Sequence, residues 1–322
     1  MIAPVMLILL GLMLALLGPV VLRRSSWLER CPRIGIAAWQ ALSFSLVSTV
    51  ILAGAAVAVP VVPWTTDLAE LVRACAMALV EQYSTPGGAV VSTTGVLAVL
   101  AVLARVGYSA ARGLRAAAST RSRQLQSLAL IARPHRDVDA LVVEHQAAAA
   151  YCLPGRGGRI VLTSAALAAL DRGQLDAVMA HERAHLNGRH HLILAAADAL
   201  RHAFPGVAAF REARSALGRL VEMLADDNAA RCADRLTVAT ALVRMAEHGA
   251  TPAAALGAGD ESALSRVRRL VAPARPLGAG QTVVATLATG ALLALPMFFA
   301  VVPASAAGAM PPCPADGIAR AT

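Results

Sequence analysis

The chain has no lysine, so all 29 residues counted as Lys+Arg are arginines, and charged residues of both signs make up only 15%. A soluble domain needs about 25% charged residues to cover its surface. This composition therefore excludes a conventional water-solvated protein over its whole length. Aromatics are equally scarce at 3%. No basic stretch interleaved with aromatics and no nucleic-acid motif accompanies the net charge of +9, which excludes a nucleic-acid-binding explanation for that charge. The five cysteines, Cys31, Cys75, Cys152, Cys232 and Cys313, never stand in a C-x-x-C pair. That excludes a zinc ribbon or a dithiol redox centre. No repeat of 20 to 50 residues is present, which excludes a solenoid.

What is abundant is apolar sequence, 57% of the chain. Four runs approach the roughly 20 residues needed to cross a bilayer core of about 30 Å: Val5 to Leu22, Ile36 to Val59, Val90 to Val106 and Thr282 to Val302. The first has no basic region ahead of it, so it reads as a retained helix rather than a cleaved signal. Arg23, Arg24, Arg30 and Arg33 follow the first run, and Arg112, Arg115, Arg121 and Arg123 follow the third. The second connection instead carries Asp67, Glu70 and Glu81 against Arg73. Short cytoplasmic loops accumulate positive charge, so both termini are expected outside and the stretch from Gly107 to Gly280 in the cytoplasm. The expected organisation is three transmembrane helices over residues 1–106, a cytoplasmic domain over 107–280, and a fourth transmembrane helix with a short outer tail over 281–322. On that topology Cys75 and Cys313 share the outer side, where a bridge between them is possible.

Within the cytoplasmic stretch, a basic helix is expected from Ala110 to Leu130. Branched apolar runs between Ala140 and Ser164 flank Pro154 to Gly158 and predict two or three short strands around a turn. Asp171 with Gln174 three residues on forms a capping box that starts a helix. Further helices are predicted over Leu192 to Phe204, Val207 to Arg231 and Asp234 to His248, giving an α+β domain with a small sheet.

The helix capped by Asp171 carries His181-Glu182-Arg183-Ala184-His185, an H-E-x-x-H motif. Residues four apart share a helix face, so the two imidazoles can grip one Zn2+ while Glu182 addresses its water as general base. A hydrolytic zinc site has three protein ligands, and the third must come from elsewhere. Glu222 is the candidate, with Asp226 one turn later as the group that accepts the free N–H of a ligand histidine. The bland alternative for both is an exposed acidic patch balancing Arg219 and Arg231. Arg266 is a candidate oxyanion stabiliser only because a cation is needed there. His190 and His191, five and six residues past His185, are expected on other faces of a continuing helix, exposed or membrane-proximal rather than bound to metal. The pairs Arg23-Arg24 and Arg268-Arg269 are expected to meet lipid headgroups. An extended peptide substrate could add to the strand around Ala147 to Leu153.

Three apolar helices, a strand and glycine turn, His181 to His185, Glu222 to Asp226 and a fourth apolar helix together resemble the BlaR/MecR-type membrane zinc metallopeptidases, peptidase family fifty-six. The segment Leu153-Pro154-Gly155 through Gly158 to Ser164 is also similar to that preceding the zinc helix of HtpX/Ste-type proteases. Both likenesses imply a zincin-like zinc endopeptidase in which His181, His185 and Glu222 are ligands, Glu182 the base and Asp226 the orienting carboxylate. The BlaR/MecR likeness implies regulated proteolysis of a cytoplasmic partner such as a transcriptional repressor. The HtpX likeness implies membrane protein quality control. A non-catalytic signal transducer stabilised by metal is the alternative outside enzymology. Only Pro303 to Thr322 comes after the fourth run, without an S-x-x-K motif, so covalent capture of a beta-lactam is not expected. Any stimulus would then arrive through a partner, lipid or the loop from Trp64 to Gly88.

Overall fold

The structure is a computed structural model and describes residues 2–58, 73, 76–77, 80, 83–135, 138–155, 157–249, 259–273 and 275–308. The possible bridge between Cys75 and Cys313, and most of the loop from Trp64 to Gly88, lie outside the described residues.

The long apolar runs form helices because they hold alanine, leucine and valine without a backbone partner other than themselves. They are α1 (Ile2–Arg24), α3 (Pro32–Ala58), α4 (Pro86–Ile131) and α11 (Ala279–Gly308), with the single turn α2 (Trp27–Arg30) between the first two. By length and composition all four long helices could cross a membrane, α11 through Ala279–Ala300, and this supports membrane association. The third expected span and the basic helix after it prove to be one helix of 46 residues. Nothing stops the helix near Val106, because the residues beyond it are mainly alanine, arginine and leucine, all strong helix formers.

The chain divides into two compact units. The first holds Met1–Gly18, Ala41–Arg105 and Gly290–Thr322. There α3 and α4 approach through small residues: a Cβ on Gly95 would lie 2.6 Å from the Gly54 carbonyl oxygen. Glycine at such a crossing lets helix backbones approach closely. Ser45 on α3 donates to the Leu292 carbonyl of α11 at 2.6 Å.

The second unit holds Pro19–Gln40 and Val106–Thr289. Its sheet comprises β1 (Arg133–His135), β2 (Ala140–Val143), β3 (Ala150–Leu153) and β4 (Arg159–Thr163), in the order β1-β2-β4-β3. The parallel β2/β4 pair lies between antiparallel partners. β1 lies outside the expected strands, since three exposed residues carry no alternation to read. In the turn between β3 and β4, Gly155 and Gly157 take φ of +149° and +70°, which only glycine adopts without strain.

β4 is buried on both faces. Ile160 and Leu162 pack with Leu170, Leu175 and Met179, while Val161 packs with Leu128 and Leu153. Successive strand residues point to opposite faces, so β4 sits between the helix end carrying Leu128 and the helix carrying Met179. After α5 (Ser164–Ala169) come α6 (Arg172–Asn187), α7 (His190–Ala203), α8 (Ala208–Cys232), α9 (Arg235–Glu247) and α10 (Gly259–Val271). α6 starts at the expected capping box: the Gln174 amide donates to Asp171 Oδ1 at 2.9 Å and the Asp171 amide to Gln174 Oε1 at 3.2 Å. Ala177 of α6 packs with Ala229 of α8, Val238 of α9 and Leu270 of α10, which seats α6 at the centre of the unit.

Candidate metal centre

Small residues let α6 and α8 come together, and polar residues on both helices meet beside that contact. His181 and His185, one turn apart on α6, have their Nε2 atoms 3.1 Å apart. From α8, the Glu222 carboxylate lies 3.5 Å from His181 Nε2 and 3.6 Å from His185 Nε2. Two ligands of a tetrahedral zinc ion, at bonds of about 2.0–2.2 Å, stand roughly 3.3–3.5 Å apart. The three observed separations bracket that edge. Among the described residues, these three are the group of acid, histidine and cysteine side chains able to hold a metal, with all donor atoms within 4.8 Å of one another. Their chemistry, two imidazoles and one carboxylate, suits a borderline cation such as zinc.

Behind the donors stands a buried ion pair. Asp226 is 1% exposed, and its Oδ1 lies 3.0 Å from His181 Nδ1. Arg266 of α10 places Nε 2.8 Å from Asp226 Oδ2 and one terminal nitrogen 2.7 Å from Oδ1. Its other terminal nitrogen reaches Glu222 Oε2 at 3.1 Å. The acids are thus no exposed patch, and Arg266 rather than Arg219 or Arg231 neutralises them. All the hydrogen-bonding faces of the Arg266 fork address Asp226 and Glu222.

Burial and charge set the protonation states. Burial opposes the charged form of His181, but Asp226 and Glu222 outweigh it and lift its pKa to about 9 in the metal-free chain. Burial lowers His185, with the His181 and His190 charges adding to the effect against Glu222. Burial raises Asp226 less than the Arg266 and His181 contacts lower it, leaving it at about 2. Glu222 is likewise held below the carboxylate range against its burial, chiefly by His181 and Arg266. Glu182 moves the other way: burial pushes it up, and the Glu222 charge pushes further against the opposing pull of His181. Two carboxylates in one site are thereby driven apart in proton affinity, the arrangement that separates a ligand from a base.

Two residues join the site to which sequence patterns assign no part in it. α6 ends at Gly188, and Arg189 takes the left-handed conformation at φ 48°. This turn restarts the chain as α7, so His190 does not lie on a continuing helix. It is 2% exposed, its Nδ1 is 3.1 Å from His185 Nδ1, and the rings meet edge to face at 83°. The expectation of an exposed His190 is therefore corrected, and the reason is the register reset at Arg189. Gly188 is required there, because a Cβ would overlap the His190 ring. The second residue is Cys152 on β3. It pairs with Ile160 in the sheet, which puts its side chain on the face turned toward α6. There its thiol contacts Glu182, and burial together with that carboxylate pushes it up to about 12.

Other expectations resolve in position. β3 is an edge strand and borders α6, as strand addition by a peptide requires. The headgroup expectation for Arg268-Arg269 is corrected in part: Arg269 makes a two-armed contact with Asp227 at 2.8 Å for each arm and donates to the Glu29 carbonyl. Arg23 pairs with Glu212 at 3.3 Å.

Residues 114–213 match the sequence model of peptidase family M48. The matched stretch, less than a third of the chain, contains the whole sheet and the H-E-x-x-H helix and stops short of Glu222, Asp226 and Arg266. It supports a zincin-like metallopeptidase. No curated protein and no solved structure matches the chain.

Proposed function

We propose that this protein is a membrane-embedded zinc endopeptidase whose site faces the cytoplasm and cleaves extended peptide segments. The observation that carries the reading is the meeting of His181, His185 and Glu222 from two helices at ligand spacing, with Glu182 beside them. His181, His185 and Glu222 would hold the zinc ion, with Asp226 orienting His181. Bound there, zinc would bring the pKa of water toward neutrality and polarise a carbonyl.

The chain's own residues supply the remaining steps. An extended peptide laid along β3 gains main-chain hydrogen bonds whatever its side chains. Glu182, one residue past His181, takes the proton from the attacking water and delivers it to the departing amine. Its raised proton affinity suits that transfer, because a base works best when its pKa approaches the working pH. Arg266 fixes Asp226 and Glu222, so we assign it to positioning the carboxylates in addition to its charge near the developing oxyanion.

Regulated cleavage of a cytoplasmic regulator, such as a repressor, is the favoured role, on the likeness of the helices and site to BlaR/MecR-type enzymes. Membrane quality control is the second reading. It is favoured by the HtpX-like strand, turn and strand from Leu153 to Ser164, which lies inside the matched stretch. The test is Glu182→Gln in the purified full chain. Zinc per chain should stay at that of wild type while hydrolysis of an unstructured peptide falls by at least roughly 10²-fold. Equal cleavage by both proteins would overturn the reading. Fragments that vanish in cells carrying the variant separate one regulator from many damaged membrane proteins.

A further inference from the structure

We propose that a cavity on the far side of α6 binds the phosphate headgroup of an anionic membrane phospholipid. The cavity has a volume of about 650 Å³, within the range of ligand sites. From α6 it is lined by Ala180, Arg183, Ala184 and Asn187. That i, i+3, i+4, i+7 stripe is a different helix face from His181 and His185, so the cavity is separate from the metal centre.

Its charge is one-sided. Arg33, Arg183 and Arg231 line it together with Asn187 and Asn228, and no carboxylate does. Among the described residues, the side chains of Arg33 and Arg183 have no hydrogen-bond or ion-pair partner, and that of Arg231 has only the Asn228 side-chain oxygen at 3.4 Å. By contrast, the more buried Arg266 and Arg269 of this unit are matched by acids, Asp226 and Asp227. Arg33, Arg183 and Arg231 are solvent-exposed, so the cavity is a one-signed cationic surface open to an incoming anion, and planar guanidinium groups bind phosphate oxygens in pairs.

Position selects the source of that phosphate. Arg33 stands in the first turn of α3, a helix long and apolar enough to cross a membrane, and Ile36 one turn on also lines the cavity. Arginine at that depth belongs to the headgroup layer, and isoleucine beyond it to the acyl boundary. Ile193 and Leu224 extend the apolar wall, for which a free, fully hydrated phosphate has no use. His190 closes the cavity on the side of His185, so a headgroup would rest against the ring that abuts a proposed metal ligand.

The test is native mass spectrometry of the full chain in detergent, with phosphatidylglycerol or phosphatidylcholine of identical acyl chains added. Wild type should retain one phosphatidylglycerol in preference to phosphatidylcholine. Arg33→Ala/Arg183→Ala should weaken retention by roughly tenfold or more, with zinc content unchanged. Asn187→Asp, which places a negative charge among the arginines without removing volume, should weaken it too and guards against a misfolded double variant. Equal binding of the two lipids, or undiminished binding by both variants, overturns the proposal. Displacement by millimolar inorganic phosphate would make free phosphate the ligand and overturn the lipid assignment, as displacement by an acidic hexaglutamate peptide would in favour of a protein partner. Because the readout is lipid retention, it stands or falls independently of peptide hydrolysis.

Discussion

Arg266 grips Asp226 with two parallel hydrogen bonds of 2.8 and 2.7 Å, across 40 residues of chain. Asp226 is 1% exposed, so the pair is a buried one whose value lies in completeness. Arg266→Ala would leave a buried carboxylate with His181 as its only near cation. Breaking one side of such a pair costs about 3–5 kcal/mol. The expected result is a lowered thermal midpoint and weaker metal retention. Arg266→Lys should recover only part of the loss, since an ammonium cannot fill two parallel contacts and reach Glu222 as well. Thermal unfolding in detergent and metal content per chain measure both effects.

Proton release on metal uptake is set by the protonation states. His181 sits at about 9 without metal, so near neutral pH it is charged and must lose a proton to become a ligand. His185 is already neutral, since burial lowers it, and Glu222 is already ionised. At least one proton, that of His181, should therefore leave per metal bound, with any ionisation of a bound water adding to it, and affinity should rise with pH until about 9. Titration calorimetry in buffers of different ionisation enthalpy counts that proton. The metal-free chain carries the matching stability signature. A histidine raised from 6.5 to about 9 stabilises the fold fully below pH 6.5 and loses that contribution as pH climbs through 9. His185 gives the opposite limb: its contribution is present above pH 6.5 and lost as pH falls through its lowered value. No proton released near neutral pH would contradict the assignment of His181.

The candidate metal centre is largely legible in the sequence because its signals are local. H-E-x-x-H is a helix-face pattern, and Asp171 with Gln174 announces where that helix begins. Glu222 and Asp226 are legible through a second one-turn spacing. The four apolar helices are dictated by length and hydrophobicity alone. The partner of Asp226 is not legible, since an arginine 40 residues away is chosen by the packing of α10 and no sequence pattern records it. Nor is the break after Asn187. Left-handed backbone usually falls to glycine or asparagine, and here it falls to Arg189, one residue after the glycine that would be the natural guess. Cys152 is silent because its role depends on strand register: one residue of slip would turn it away from Glu182.

His190 carries the next expectation. Its Nδ1 lies 3.1 Å from His185 Nδ1, which leaves His185 free to present Nε2 to a metal and donate from Nδ1. Partners of this kind fix the ligand tautomer, and losing one typically costs about 10–100-fold in metal affinity, the range expected for His190→Phe. Gly188→Ala should act in the same direction, because its Cβ would displace the His190 ring. Competition with a chromogenic chelator gives the affinities. Unchanged affinity in both variants would reduce His190 to a packing residue.

Cys152 gives the last expectation its sign. The Cys152 thiol, pushed up to about 12 by burial and the adjacent carboxylate, stays protonated at any working pH and so remains a donor toward Glu182. That contact lowers the Glu182 pKa, against the burial that raises it. Cys152→Ala removes the donor, and the Glu182 pKa should rise. In kcat/KM against pH, the acidic limb reports the pKa of the base in the free enzyme, so it should move to higher pH. Cys152→Ser keeps an O–H donor of similar reach and should return the limb toward its original position, a recovery that a purely steric role would not produce. A thiol held so high is also a poor nucleophile. Iodoacetamide should therefore modify the exposed Cys232 well before Cys152, and mass spectrometry of the labelled peptides would read the order. If Cys152 reacts first, its contact with Glu182 is not the one that governs its proton.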